Sequence, residues 1–316
     1  MSRRATTAVV VLLLWLVGVA ALAHRELFQD QASRLAHAAR LVAPGAVYYA
    51  AMRHGSQSGF ASSTIDTSAA GIEIEELQFV QHRVRGTVRR TETRTTVHLG
   101  RALELRGFRR EIQTGGAPVV IDGTMHGDST LTISQRVGDG AARTHRFAVT
   151  GPVLVPEEVP LAIGLAGSPS IGRRYHFTMV DMRHLALGPA TMRVTAESLF
   201  VVSDSAALDA SRTRWVPAHE DTVKAWYVEQ EGNGVRGGPA DGWIDAQGHV
   251  IQTRRPSGLM LRQSAYELAF ENWRAQMERA SHPDPAMMAD RPQSDTTAAH
   301  GRAARHPSTM QPEPRP

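Results

Sequence analysis

Four groups of side chains in this chain have the types that catalysis or metal binding needs. His126-Gly127-Asp128 offers two metal ligands, yet it sits among turn residues beside Gly123 with no third donor at a readable spacing. His176, Asp181 and His184 are looser, and at strand spacing His176 and Asp181 point to opposite faces, which argues against one shared ion. His219-Glu220-Asp221 has the composition of an acid–base pair, but between Pro217 and the next strand it reads as a solvated loop. Glu73, Glu75 and Glu76 would supply the two carboxylates of a glycosidase, although period two makes Glu73 and Glu75 the polar face of one strand. There is no G-x-S-x-G, no phosphate loop and no H-E-x-x-H. The chain has no cysteine, which removes thiol chemistry, thiolate metal sites and disulfides together. The expectation is a non-enzymatic protein with no catalytic residue, no metal and no cofactor.

The elements around these residues begin with Ser2-Arg3-Arg4, an uncharged run from Ala5 to Ala23, and His24-Arg25-Glu26-Leu27-Phe28. At about 1.5 Å per residue a helix over that run approaches the roughly 30 Å core of a bilayer. Two arginines precede it and Arg25 cancels Glu26 behind it, so the positive-inside bias sends the body out of the cytoplasm. We read residues 1–28 as a single-pass signal anchor in the inner membrane with the body in the periplasm. The alternative is a signal peptide cleaved after Ala23, leaving a soluble periplasmic protein. Residues 29–45 read as a helical stalk ending before Pro44-Gly45, and residues 281–316, proline-rich with only Met287, Met288 and Met310 as large apolar side chains, as a disordered tail.

Between them, residues 46–280 have the grammar of a β domain. Val47–Met52 and Gly59–Ile65 flank His54-Gly55-Ser56 as a hairpin. Alternation returns at Val97 and Leu99, Leu103 and Leu105, Val119 and Ile121, Leu131 and Ile133, and in later segments including Thr191–Val202 and Thr222–Glu231, with Asp245-Ala246-Gln247-Gly248 as a turn. After Ile72 and Ile74 the apolar phase moves to Leu77 and Phe79, which predicts a β-bulge. Leu161–Leu165 is an apolar lid or crossover, and Gln263–Arg279 carries Tyr266, Ala269, Phe270, Trp273 and Met277 at helical spacing. The fold class expected is mainly β: one large curved antiparallel sheet or open half-barrel, with an N-terminal transmembrane helix and a C-terminal amphipathic helix.

Two surfaces of that sheet are candidates for binding. Ile72, Ile74, Leu77, Phe79, Leu103, Leu105, Phe108, Ile121, Ile133, Leu161, Ile163 and Leu165 would line an apolar interior suited to a lipid-like ligand. Arg83, Arg85, Arg89, Arg90, Arg94, Arg106, Arg109 and Arg110 would form a basic sheet face for phospholipid headgroups or an acidic envelope protein. No aromatic residues interleave with these arginines, so nucleic acid is not an expected partner.

Gly59-Phe60-Ala61-Ser62-Ser63-Thr64, Arg89–Arg94, Leu105-Arg106-Gly107-Phe108, Val155-Pro156-Glu157-Glu158-Val159-Pro160-Leu161 and Trp243–Val250 resemble a bacterial β-rich domain. It precedes the catalytic domain in some membrane-anchored transglutaminase-like proteins and also occurs alone. The resemblance implies a periplasmic lipoprotein-carrier-like fold over Ala46–Arg274. The transglutaminase-like activity does not carry over, since no cysteine nucleophile exists here. The expected function is a cell-envelope binding module for an apolar ligand or a partner protein. The first alternative is a packed scaffold presenting its basic face to another envelope protein, and the second a hydrolase whose site is formed by histidines distant in the chain.

Overall fold

A computed structural model describes Trp15 and residues 42–84, 87–232, 241–255 and 258–281. Apart from Trp15, the expected membrane span, most of the stalk and residues 282–316 lie outside the described residues. Among the described residues no helix is long and apolar enough to cross a membrane.

The first hairpin joins β1 (Gly45–Arg53) to β2 (Ser56–Thr67) through His54 at φ 50° and Gly55 at φ 79°. Two successive left-handed residues match the twist of the flanking strands. An antiparallel meander then runs through β3 (Ile72–Val84), β4 (Thr87–Leu99), β5 (Leu105–Gln113), β6 (Val119–His126), β7 (Thr130–Val137) and β8 (Arg143–Ala148). β9 (Val153–Leu154) breaks the pattern by pairing in parallel with β10 (Arg174–Asp181), the intervening chain forming α1 (Val159–Leu165). A second meander of β10, β11 (Ala186–Leu208), β12 (Trp215–Glu231), β13 (Gly242–Ile244), β14 (Val250–Arg254) and β15 (Leu259–Ser264) returns to pair with β1. Among the described residues one sheet of fifteen strands results, with β8 and β9 as its edges.

The sheet is strongly curved, because residues far apart in strand order share one core. Ile72 and Ile74 on β3 and Leu131 and Ile133 on β7 pack in the same cluster as Val153, Val180, Met182 and Leu185 from the opposite end. The β8 edge is short and carries exposed Arg143, His145 and Arg146, which discourages pairing with another strand.

The segment expected as a lid or crossover is a buried helix. Leu161 of α1 packs into the first cluster, while Val159, Ala162 and Ile163 pack with Tyr175, Met179, Met192, Trp226 and Ile244 of the second meander. Its approach to the 245–248 turn is so close that a Cβ on Gly164 would stand 2.5 Å from backbone atoms of Gln247 and Gly248. Asp245 holds that turn, its Oδ1 accepting from the N–H groups of Gln247 (2.9 Å) and His249 (2.8 Å), while Oδ2 lies 2.9 Å from His249 Nδ1.

The bulge expected in β3 does not exist: the strand pairs in unbroken register with both neighbours from Ile72 to Val80. Ile72, Ile74, Glu76, Gln78 and Val80 share the inner face, so two polar positions interrupt an apolar row, whereas Leu77 and Phe79 face outward, Phe79 against Trp273 of the C-terminal helix. The helix itself begins later than expected, because Gln263 and Ser264 extend β15 opposite Tyr49 and Tyr48. A π-helical turn, Glu267–Glu271, leads into α2 (Asn272–Ser281). Phe270 and Trp273 meet Phe60 at ring-centroid distances of 4.8 and 5.4 Å, and Trp273 lies 5.1 Å from Phe79. Asn272 ties this helix to β12, donating to the Trp215 carbonyl at 2.9 Å and accepting its N–H at 3.0 Å.

Candidate functional site

The apolar residues expected to line a hollow divide among three places. Ile72, Ile74, Leu103, Leu105, Phe108, Ile121, Ile133 and Leu161 form one cluster, each no more than 6 % exposed, with Leu165 against it. Ile163 belongs to the second cluster, and Leu77 and Phe79 lie on the outer face. Side chains so thoroughly covered by one another leave water no access to most of this set, which is the property of a filled core.

The basic face is likewise divided. Arg94 pairs with Glu75 of β3 and Arg109 with Asp122 of β6, while Arg106 pairs with Glu104 and Arg109 also with Glu111 of its own strand, so most of these arginines are matched by acids. Exposed Arg89 and Arg90 are adjacent on β4 and point to opposite faces. The side chain of Arg83 and all of Arg85 lie outside the described residues. Arg110 corrects the expectation outright: it pairs with Thr95 and Ile121, in the row that includes Glu76, and points inward.

That row is the floor of a charged recess. Cross-strand pairing sets Glu76 of β3 beside Thr95 of β4 and Thr95 beside Arg110 of β5, all on the inner face. Arg110 donates from Nε to Thr95 Oγ1 at 3.1 Å and from Nη2 to Glu157 Oε1 on the turn before α1. Tyr49 of β1 and Arg255, which follows β14, are near enough to feel the charge of Glu76. Glu76 and Arg110 are half-buried and Arg255 is exposed.

The charges in it feel one another. Burial pushes the Glu76 carboxyl above its usual range while Arg255 and Arg110 pull it back. Burial lowers the Arg110 guanidinium to about 10, with Glu76 opposing the fall and Arg255 adding to it. Arg255 is lowered by its surroundings and raised by Glu76, and the Tyr49 phenol is pushed up by burial, Glu76 and Asp245. Among the described residues the buried Glu157 Oε2 has no hydrogen-bond partner. The recess can bind and orient charged groups.

Glu158, next in the chain, is fully buried, with Oε1 unpartnered and Oε2 3.5 Å from the Val155 N–H. Burial raises its pKa well above 4.5 despite that contact. A raised folded value means that the unfolded chain releases this proton first, so the contribution of Glu158 to stability falls as pH rises above about 4.5. Glu158→Gln should therefore gain on the parent by up to about 1.4 kcal/mol per pH unit above that point. Denaturant unfolding from pH 5 to 8 measures this, and parallel pH profiles for the two proteins would show that Glu158 is ionised in the fold.

The other groups of candidate residues lie apart from this row. His126 ends β6 and Asp128 lies in the following turn, both exposed. His176 is exposed beside Thr191, whereas Asp181 is buried, accepts from the N–H groups of Arg183 and His184, and has Oδ2 2.7 Å from His184 Nδ1. The 219–221 segment corrects the loop expectation, since it lies within β12, which is longer than the alternation suggested. A register shift between Ser203 and Ser205 turns Asp204 toward His219, at 3.0 Å, and Asp221 completes an exposed trio. Glu73 and Glu75 face outward near His98 and Arg94, as period two requires.

Sequence reasoning placed Glu76 among strand carboxylates and Arg110 on the surface, and passed over Tyr49, Glu157 and Arg255. The signal for Glu76 was present: continuing the Ile72, Ile74 phase without a bulge puts it inside. No protein-family profile matches the chain, and neither does any curated protein sequence. Among solved structures, a β-barrel-like protein of domain of unknown function DUF1849 from Brucella abortus is similar at 12 % identity, covering 70 % of this chain and 95 % of that one with a TM-score of 0.43. A DUF1089 family protein from Pseudomonas aeruginosa is similar at 13 % identity, covering 63 % and 90 % with a TM-score of 0.33.

Proposed function

We propose that this protein is a non-enzymatic binding module of the cell envelope whose site is the recess of Glu76, Arg110, Glu157 and Arg255. The observation that carries the reading is the contrast inside one sheet: the apolar clusters of the interior are packed, while beside them Arg110 is bound to Glu157 and the second carboxylate oxygen of Glu157 has no partner among the described residues. A lipid chain has no room among Leu105, Phe108 and Ile133, whereas a polar ligand meets donors and acceptors already in place. The envelope location rests on the charge asymmetry around residues 5–23.

Thermal-shift measurements on the full chain in mild detergent test this. A panel of small polar compounds should contain one that raises the melting temperature of the parent and not of the Arg255→Gln variant. Leu105→Trp should destabilise the protein by about 1–3 kcal/mol, as overpacking a filled core does. Uptake of a hydrophobic fluorescent probe at one per chain, with Leu105→Trp as stable as the parent, would return the site to the apolar interior.

A further inference from the structure

We propose that Asp204, His219 and Asp221 bind one divalent transition-metal ion of the zinc type, which clips together the two strands of a ribbon formed by β11 and β12. The site is separate from the recess and does not depend on it. Among the described residues β10 pairs with β11 only as far as Arg193, and β13 with β12 only from Trp226. Past those points residues 196–208 and 215–225 pair with each other. Two strands alone are marginally stable, so such a ribbon needs further support. Near the sheet it has an apolar one, since Val202, Ala225 and Ile251 are buried together. Beyond Val202 the polar trio takes over.

Backbone register brings the three side chains together. His219 and Asp221 are two apart on β12 and share a face, the one on which Asp221 lies opposite Val202. Register shifts on either side of Ser205 leave Asp204 outside the paired register, and both its carboxylate oxygens lie 3.0 Å from His219 Nδ1. One donor atom from each of the three residues lies within 4.8 Å of the other two. Donors held tetrahedrally at about 2.0–2.2 Å from one zinc ion stand roughly 3.5 Å apart, so small rotations of exposed side chains bring all three onto it. A simple ion pair with His219 needs one carboxylate, whereas an ion takes both. Imidazole with carboxylates suits zinc and its neighbours among the transition metals, while calcium and magnesium take oxygen ligands. All three residues are exposed, so water completes the coordination.

Isothermal titration calorimetry with zinc chloride, on the full chain in detergent after treatment with a chelator, tests this. Zinc should bind, and calcium and magnesium should be weaker by at least about tenfold. Asp204→Asn, His219→Ala and Asp221→Asn should each weaken zinc at least about tenfold, since even the outer partners of metal ligands contribute that much. The three positions are exposed, so unchanged melting temperatures without metal verify that the variants fold. Saturating zinc should raise the melting temperature of the parent and not of His219→Ala, because an ion bound only by the folded ribbon stabilises it. His126→Ala combined with Asp128→Asn, an exposed pair at the end of β6, should leave the zinc affinity unchanged. No zinc binding, or equal affinity in the parent and all three variants, would overturn the site. An unaltered Asp221→Asn beside two impaired variants would overturn the three-residue centre. Calcium binding as tightly as zinc, lost in both aspartate variants but kept in His219→Ala, would overturn the metal class.

Discussion

Gly248→Ala will cost about 3 kcal/mol or more and lower the melting temperature by roughly 6–12 °C. Two effects add at this position. Gly248 has φ +86°, where an L side chain is strained by about 1 kcal/mol or more, and a new Cβ would fall on the Pro160 carbonyl oxygen and stand 2.9 Å from Leu161 Cα. Both obstacles are backbone atoms of α1, which cannot swing aside as a side-chain tip does. Relief requires α1 to leave the turn, and with it Leu161, Ala162 and Ile163 to leave both core clusters. Gly164→Ala meets the same interface from the other side and should behave alike. Gly116→Ala, where nothing stands within 4 Å of the new Cβ, is the silent control. If thermal unfolding placed Gly248→Ala within about 1 °C of that control, α1 would not be fixed against the 245–248 turn.

Trp273→Ala should be comparably severe, about 3–5 kcal/mol, because it empties the centre of an aromatic group rather than removing a surface ring. Trp273 is 8 % exposed and touches Phe60 and Phe79 from the outer side of the sheet. Tyr266, on the same helical segment, is 40 % exposed and meets Tyr48 edge-on at 5.1 Å, so Tyr266→Ala should cost only about 1 kcal/mol. The ratio between the two, read by denaturant unfolding, is the test. Similar small losses at both positions would mean that the helix lies on the sheet without contributing to its stability. The expected cost has a structural root in β3: with Glu76 and Gln78 inside, the outer face of this half must be covered for Leu77 and Phe79 to leave water.

Much of this architecture was legible in the chain because strands and turns are local. Period-two alternation located β1, β2, β6 and β7, and His54-Gly55 marked its turn by residue type, since only a few side chains tolerate two left-handed residues in succession. The aromatic spacing of Phe270 and Trp273 announced a helix with one buried side, correctly except for its first residues. Those belong to β15, where strands on both sides supply hydrogen-bonding partners that sequence periodicity does not reveal.

The recess was not legible, for a reason that β3 makes concrete. Alternation states which residues share a face, and it does not state which face is inside. Where both faces of a strand are covered, one by a core and the other by a helix, the apolar signal can cross from one to the other with no change in the backbone, and it was read as a bulge. Arg110 was lost in the same way. Nine arginines between residues 83 and 110 read as a surface, and one of them points inward because its strand register puts it beside Thr95 and within reach of Glu157, 47 residues away. The amino-acid order determined a disulfide-free β protein and its turns, as each depends on neighbours along the chain. Curvature of the sheet, burial of α1 between two cores and the meeting of Glu76, Arg110 and Glu157 depend on contacts between residues far apart in the chain, and these exist only once the open sheet has curled over its core.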